Sequence, residues 1–138
     1  MVETTEINQT QVKINTMRFT ADRQRVIATT TNGFMIIDTA TGEVLKACTA
    51  FEDGGLHICA PYGRTSIFFV VGTGSGASEL RTCLIIWDDA NSKKVGEVTF
   101  GQEIVEVRTE VDEDNHWVLV QLAGQPDLLV FDFKKGFT

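Results

Sequence analysis

The chain is a succession of short apolar runs separated by polar turns rich in Gly, Asn, Asp and Thr. Some runs alternate apolar and polar residues, as in INTMRFT at 14–20, and others are apolar throughout, as in SIFFVV at 66–71. Alternation indicates a strand buried on one face, and a continuous short apolar run indicates a strand buried on both faces. No stretch of convincing length has a helical period. The pattern therefore predicts an all-β chain, with a half-buried strand at 14–20.

One strand-turn-strand unit recurs along the chain. It is clearest at 82–100, TCLIIWDDANSKKVGEVTF, and weaker copies lie at 34–49 and 128–138. The aspartates that close the three apolar runs, 50 and 44 residues apart, are Asp38, Asp88 and Asp132. A unit that recurs at about 40 to 50 residues is typical of β-propeller blades. The sequence therefore predicts about three four-stranded antiparallel blades of a WD-repeat-like propeller that has about seven.

The turn signals divide the chain into these blades. Blade 1 is predicted at about 14–50, blade 2 at about 56–101 and blade 3 at about 104–138. The third is incomplete because the chain ends where its fourth strand would begin. In blade 1, Asn32-Gly33 between two apolar runs predicts a type I′ hairpin turn, which needs positive φ at both central residues.

Three blades cannot close a ring, because propellers use four to eight. The end blades would each expose an apolar face, which favours either a longer native protein or self-association through the open faces. The strand residues Trp87 and Trp117 are predicted to lie in the core, and Phe51 and Phe137, at element edges, are weaker core candidates.

Composition limits the classes of function. The 138 residues carry 12 basic and 19 acidic side chains, a net charge of −7, which argues against a nucleic-acid partner because phosphate binding needs clustered Lys and Arg. No apolar run is long enough to span a membrane and no signal-peptide layout opens the chain, which predicts a cytosolic or nuclear protein. Cys48, Cys59 and Cys83 lie within or beside strands and are predicted to be reduced, buried thiols.

Catalytic or metal chemistry finds little support in the sequence. His57 and Cys59 have metal-like spacing, but no further His or Cys cluster completes a ligand set. His116 could pair with a cysteine as a nucleophile, yet nothing in the sequence would orient it. The glycine-rich stretch 72–76 precedes a strand and not the helix that a phosphate-binding loop needs. We therefore predict no enzyme activity and no cofactor. The acidic turn 112–114 is solvated, or selects a basic partner.

The run from 68 to 109 resembles the second blade, and the entry into the third, of the PROPPIN family, the phosphoinositide-binding WD-repeat-like propellers of autophagy. The positions that carry the resemblance are Val71-Gly72, Arg81, Leu84 to Trp87, Thr99-Phe100 and Ile104 to Arg108, with Ile14 to Phe19, Asn32 to Phe34 and the closing LLVFDF at 128–133. The resemblance covers roughly Ile14 to Phe133.

The resemblance implies a function for the whole family architecture and only part of it for this chain. The family binds phosphoinositides through a Phe/Leu-Arg-Arg-Gly motif in a later blade, and no Arg-Arg pair occurs here, so the lipid site is expected outside this chain. Early blades of the family dock autophagy proteins. The resemblance thus implies a noncatalytic scaffold that links phosphoinositide-marked membranes to autophagy partner proteins. It would be cytoplasmic, and peripheral on autophagic or endosomal membranes.

The exposed turns of blade 2 are the predicted partner-binding surface. The residues are Gly72, Thr73, Ser75, Glu79 and Arg81 in the glycine-rich loop, and Asp88, Asn91, Lys93 and Lys94 in the turn after the Trp-Asp strand. The alternative hypothesis is a generic WD-repeat protein-interaction module without lipid binding.

Overall fold

A computed structural model of the chain describes residues 13–52, 54–74 and 80–133. These ranges form eleven β-strands. The first sheet contains β1 (Ile14–Phe19), β2 (Arg25–Thr30), β3 (Phe34–Asp38) and β4 (Val44–Cys48). The second contains β5 (Leu56–Pro61), β6 (Ile67–Gly72), β7 (Cys83–Asp88) and β8 (Lys93–Thr99). The third contains β9 (Ile104–Val111), β10 (His116–Leu122) and β11 (Leu128–Asp132). None of the residues in these ranges belongs to a helix long and apolar enough to cross a membrane.

Each sheet is antiparallel, and its strands pair in chain order. The predicted all-β class with four-stranded antiparallel blades is confirmed, and we call the sheets blades 1, 2 and 3. The first strands of the blades are neighbours, since β5 contacts both β1 and β9. Strands β1, β5 and β9 therefore line the inner side of the assembly, and β4, β8 and β11 lie outermost.

Blade 2 is buried on both faces, as its continuous apolar runs predict. In β7, Ile85 and Trp87 belong to the core shared with blade 1, whereas Leu84 and Ile86 belong to the core shared with blade 3. Successive side chains of β7 point to opposite faces of the sheet, so alternate residues pack against blade 1 and against blade 3. Because burial of one large apolar side chain is worth about 1.5 to 3 kcal/mol, the two cores are the main force that holds the blades together.

Phe51 contributes more to the core than its edge position predicts. It is buried, and its ring meets that of Trp87 edge-on with 4.8 Å between the centroids. The core position predicted for Trp87 is confirmed, and its indole N–H donates a 3.0 Å hydrogen bond to Asp89 Oδ1. Phe137, the other weak core candidate, lies outside the described residues.

Blades 1 and 3 each have an apolar, exposed face on the side away from blade 2, which we call the outer face. The half-buried strand predicted at 14–20 is wrong, because β1 has no buried residue on either face: Ile14 is 46% exposed, and Met17 and Phe19, on the other face, are 64% and 65% exposed. The core position predicted for Trp117 is also wrong: it is 37% exposed on the outer face of blade 3, beside Val130. The reason is the same at both ends. These side chains alternate between the two faces of their strands as predicted, but within the described chain no other sheet covers the face on which they lie.

The hairpin predicted at Asn32-Gly33 joins β2 to β3, but its predicted turn type is wrong. Gly33 has a φ of 158°, and Asn32 is not among the non-glycine residues with positive φ. The Thr30 N–H donates to the Gly33 carbonyl at 2.8 Å, and the Thr30 hydroxyl bonds the Asn32 side chain. Glycine is needed here for packing, because a Cβ at this position would lie 1.9 Å from the carbonyl oxygen of Cys48 in β4.

Candidate partner-binding surface

The first predicted segment is the glycine-rich loop that follows β6. It begins at Gly72, the buried last residue of that strand. Thr73 is anchored, because its hydroxyl donates to the Gly54 carbonyl at 2.9 Å. Ser75 and Glu79 lie outside the described residues. The start of this loop is therefore tied to the connector that precedes β5.

The other end of the same loop is attached to blade 3. Arg81 Nε lies 3.3 Å from Glu103 Oε2, and the Ile104 N–H donates to the Arg81 carbonyl at 2.7 Å. Arg81 thus has a structural role at the joint between blades 2 and 3, and its charge is partly neutralised by Glu103.

The second predicted segment is the turn between β7 and β8, and Asp88 organises it. Its carboxylate accepts hydrogen bonds from the side chains of Asn91 and Ser66, at 2.7 and 3.1 Å, and from the Ala90 N–H at 3.1 Å. These bonds, that from the Asn91 side chain first, lower the pKa of Asp88 below its usual value. The turn is therefore preorganised around a carboxylate that stays charged at neutral pH.

Two exposed lysines follow this turn in the outermost strand β8. Lys94 Nζ lies 3.1 Å from Glu97 Oε2, in a pair whose side chains are both about half exposed. Lys93 is exposed beside it. An exposed ion pair contributes little stability, so these lysines can exchange their partners at small cost. The turn and the start of β8 therefore present exposed cations next to a carboxylate that is held by hydrogen bonds.

The two predicted segments do not form one continuous surface. One joins β7 at Cys83 and the other leaves it at Asp88, so they lie at opposite ends of this strand. A six-residue strand spans roughly 17 to 20 Å. A partner that covers both segments would have to run along the whole height of blade 2.

The histidine and cysteines that we considered as catalytic residues pack or form hydrogen bonds within the fold. His116 Nδ1 is hydrogen-bonded to the Tyr62 hydroxyl and not to a cysteine. All three cysteines are free and buried, and burial raises the pKa of the Cys59 thiol well above its usual value. Such a thiol carries little thiolate and is a poor nucleophile. Among the residues that the structure describes, no three His, Cys, Asp or Glu side chains gather as metal ligands.

The acidic turn after β9 is exposed, in line with its solvated interpretation. Asp112 accepts the N–H groups of Asn115 and Asp114 at 2.7 and 2.9 Å, and these backbone bonds lower the pKa of its carboxyl. Glu113 is exposed at the tip. The aspartate shapes the turn, and the other two carboxylates remain available to solvent.

A cleft between blades 1 and 2 escaped the sequence reasoning. Four of the residues that line it are Thr20, Ile27, Ser66 and Asp89. Thr20 and Ile27 are far in the chain from Ser66 and Asp89, and the sequence analysis assigned none of the four to a binding site. The internal repeat could have indicated this cleft from the sequence, because each residue can be compared with the residue at the equivalent position of the next blade.

Comparison with known proteins defines the class. No protein-family model matches the chain. Solved β-propellers match it closely in fold, and the sheets described above are propeller blades, so the resemblance to PROPPIN propellers is confirmed. Kluyveromyces lactis Hsv2 covers 89% of the chain at a TM-score of 0.70 with 17% identity. KlAtg21, solved with the coiled coil of AgAtg16, covers 90% at a TM-score of 0.65 with 19% identity.

A curated sequence relative points the same way. The SVP1-like protein 2 of Schizosaccharomyces pombe is 30% identical over 91 residues, which are 66% of this chain. The chain spans 25% of the length of that relative, and 34% and 37% of the lengths of the Hsv2 and Atg21 structures. These matches at low identity establish the fold of about a third of such a propeller.

Proposed function

We propose that the chain is a three-blade portion of a seven-bladed, noncatalytic PROPPIN-like scaffold of autophagy. The observation that supports this most strongly is the alignment of nearly the whole chain with part of the Hsv2 propeller. The two exposed apolar outer faces agree with it, since each is the kind of surface that a neighbouring blade covers. Met17 on blade 1 and Val130 on blade 3 would be buried by such neighbours.

The membrane function belongs to the rest of that propeller. The chain has no Arg-Arg pair and a net charge of −7, so it lacks the paired cations of the family's lipid motif. We expect the whole protein to be cytoplasmic and to reach phosphoinositide-marked membranes through a later blade. These three blades would then carry partner binding.

The turn after β7 is the partner-binding segment that we favour. Asp88 holds it in one conformation, so little entropy is lost when a partner binds. Asn91, Lys93 and Lys94 are exposed around it. A neighbour in fold, KlAtg21, was solved with a coiled coil, and we propose a helical partner of this kind here. The loop from Gly72 to Arg81, at the other end of β7, would serve a separate contact.

A generic WD-repeat interaction module without a lipid role is the second candidate. It is favoured by the breadth of the fold match, because a chain of a mitotic checkpoint complex covers 94% of this chain at a TM-score of 0.60 with 10% identity. The fold alone therefore does not separate the two candidates.

Two measurements on the endogenous, whole protein test the proposal. An immunoblot should show a band of about 30 kDa or more, which seven blades of some 40 to 45 residues require. The protein should float with liposomes that contain phosphoinositides and not with phosphatidylcholine alone. A band near 15 kDa refutes the scaffold of seven blades, and absence of flotation favours the generic module.

The partner surface is tested by replacing residues 90–92 of the turn with a Gly/Ser linker, which leaves the buried Asp89 in place, and recovering partners from cells. The matched control is the same replacement at 40–42, the corresponding turn of blade 1. Loss of a partner in the first variant only supports the assignment. Equal recovery by both variants would show that the turn is not the binding segment.

A further inference from the structure

The internal repeat allows the interface between blades 1 and 2 to be compared with that between blades 2 and 3. The Thr20 N–H donates to the Arg25 carbonyl, and the Tyr62 N–H donates to the Ile67 carbonyl, both at 2.9 Å. Thr20 and Tyr62 are therefore equivalent positions. The aspartate that ends the third strand of each blade pairs with a residue of the second strand. Asp38 pairs with Arg25, Asp88 with Ile67 and Asp132 with Trp117, so these three partners are equivalent.

These registers align the residues that face each interface. Ile27 in blade 1 corresponds to Phe69 in blade 2, two positions beyond Arg25 and Ile67. Asp89 corresponds to Phe133, because each follows the aspartate that ends its strand. Ser66 corresponds to His116, because each directly precedes one of the equivalent residues Ile67 and Trp117. The two interfaces therefore differ at four matched positions.

Aromatic side chains fill these positions between blades 2 and 3. The ring of Phe133 lies 4.7 Å from that of Tyr62 and 5.1 Å from that of Phe69, between centroids. His116 completes the group through its hydrogen bond to the Tyr62 hydroxyl. This end of the second interface is therefore packed with protein side chains.

The matched positions between blades 1 and 2 carry smaller or charged side chains, Thr20, Ile27, Ser66 and Asp89. All four line an open cleft of about 850 Å³. The two blades are in contact at the wall of this cleft, where the rings of Phe34 and Phe68 lie 4.9 Å apart between centroids. A cavity of this size is in the range that ligands occupy.

The cleft concentrates positive charge in an acidic chain. Five of the 12 basic residues line it, namely Arg18, Arg25, Lys46, Arg64 and Arg108, against three acids, Asp22, Asp89 and Glu110. Three of these cations are already paired: Lys46 Nζ lies 2.6 Å from Asp89 Oδ2, Arg64 is paired with Asp22, and Arg18 with Glu106. Arg25 and Arg108 form no ion pair with any residue in the described ranges. Arg25 lines the cleft from blade 1, and Arg108 lines it from β9 of blade 3, which borders its inner end.

We propose that this cleft binds an acidic peptide segment of a partner protein, which inserts one aromatic side chain between blades 1 and 2. The inserted ring would take the place that Phe133 takes between blades 2 and 3, against Ile27 and Phe68. The flanking carboxylates of the peptide would bind Arg25 and Arg108. This is a second binding surface that goes beyond the function proposed above, and neither depends on the other.

The probes are blocked pentapeptides of sequence EEFEE, EEAEE and KKFKK, added to the isotopically labelled 138-residue chain. Binding is followed by ¹H–¹⁵N NMR. We expect saturable shifts with EEFEE at about millimolar concentration, since short peptides bind weakly. The shifted amides should lie at 20–22, 58–60 and 63–66, which line the cleft. EEAEE should bind about tenfold more weakly, because it lacks the ring, and KKFKK should not bind.

Matched variants separate the cleft from general charge attraction. Ile27→Phe gives blade 1 the ring that blade 2 has at Phe69 and so fills part of the cleft, which should raise the melting temperature and weaken EEFEE binding about tenfold. Arg25→Glu with Arg108→Glu should weaken binding by at least about tenfold, whereas Lys13→Glu, which also removes an exposed cation of blade 1 but does not line the cleft, should leave it within about twofold.

Several results would overturn the proposal. Absence of saturable binding, shifts confined to other residues, equal binding of EEAEE, or unchanged binding by a folded Ile27→Phe chain each does so. These outcomes leave the turn after β7 untouched, because that segment is tested with its own replacement variant.

Discussion

Arg18 in blade 1 and Glu106 in blade 3 form an ion pair across the inner side of the molecule, with 2.6 Å between Nη1 and Oε1. The two residues lie in β1 and β9, and the inner strand of blade 2, β5, lies between these strands in the order of contacts. The pair therefore ties the outer two blades to each other without passing through the blade between them.

We expect this ion pair to contribute only modestly to stability. Its side chains are 45% and 22% exposed, and exposed pairs are worth about 0.5 kcal/mol. A double-mutant cycle with Arg18→Met and Glu106→Gln, measured by urea unfolding, should give a coupling free energy of about that size that falls at high salt. A coupling free energy of zero at low salt would mean that the pair does not join the blades in solution.

The two tryptophans should respond differently to the same substitution. Trp87→Phe removes the indole that donates to Asp89 and part of the packing on Phe51, so we expect a loss of about 2 to 4 kcal/mol. Trp117→Phe, on the exposed face of blade 3, should cost less than about 0.5 kcal/mol.

Fluorescence checks the same assignment, because the buried Trp87 emits at shorter wavelength and is protected from an aqueous quencher. Trp87→Phe should remove that protected component, and Trp117→Phe should remove the quenched one. Equal stability losses in the two variants would contradict the observed burial.

Gly55 should not tolerate a side chain. Its φ is 74°, and a Cβ there would lie 2.0 Å from the carbonyl oxygen of Thr30, so the backbone of blade 1 would have to move. We expect Gly55→Ala to cost at least about 3 kcal/mol, from the strain of positive φ together with the clash.

Gly42 provides the matched control for this substitution. It has the same φ of 74°, but a Cβ there would have no neighbour within 4 Å. Gly42→Ala should therefore cost only the conformational penalty, about 1 to 2 kcal/mol. Thermal or urea unfolding of both variants measures the difference, and equal losses would show that the contact with Thr30 is not rigid.

Asp22 should make stability depend on pH in the acid range. The Thr20 hydroxyl and the Gln24 N–H donate to its carboxylate at 2.6 and 3.0 Å, and Arg64 lies beside it. These contacts, that of Thr20 first, lower its pKa from 3.8 to about 2. The unfolded chain therefore takes up this proton first as the pH falls, and the stabilising contribution is lost between about pH 4 and pH 2.

An NMR titration of the carboxyl carbons measures this pKa directly. Denaturant unfolding between about pH 5 and pH 2 should show a smaller acid-induced loss in Asp22→Asn than in the unchanged chain, because the substituted side chain does not titrate. A carboxyl that titrates at its usual value would show that these contacts are absent in solution.

The period-two alternation and the recurrent aspartates were enough to predict the class of fold. Alternation places successive side chains on opposite faces of any strand, whatever surrounds it. The continuous apolar run of β7 therefore indicated correctly that blade 2 has a neighbour on each side. The same rule failed at Met17 and Trp117, because alternation shows which residues share a face but not whether another sheet covers that face.

The geometry of possible binding surfaces was decided by the tertiary structure alone. Sequence distance between Arg81 and Asp88 is short, yet β7 holds them at opposite ends of blade 2, because a strand is extended. Asp89 is distant in sequence from Thr20 and Ile27, yet packing of two sheets brings the three residues to one cleft. Local pattern thus determined the strands and their repeat in this protein. Which side chains meet was decided by how the sheets pack, since those contacts join residues that no local pattern relates.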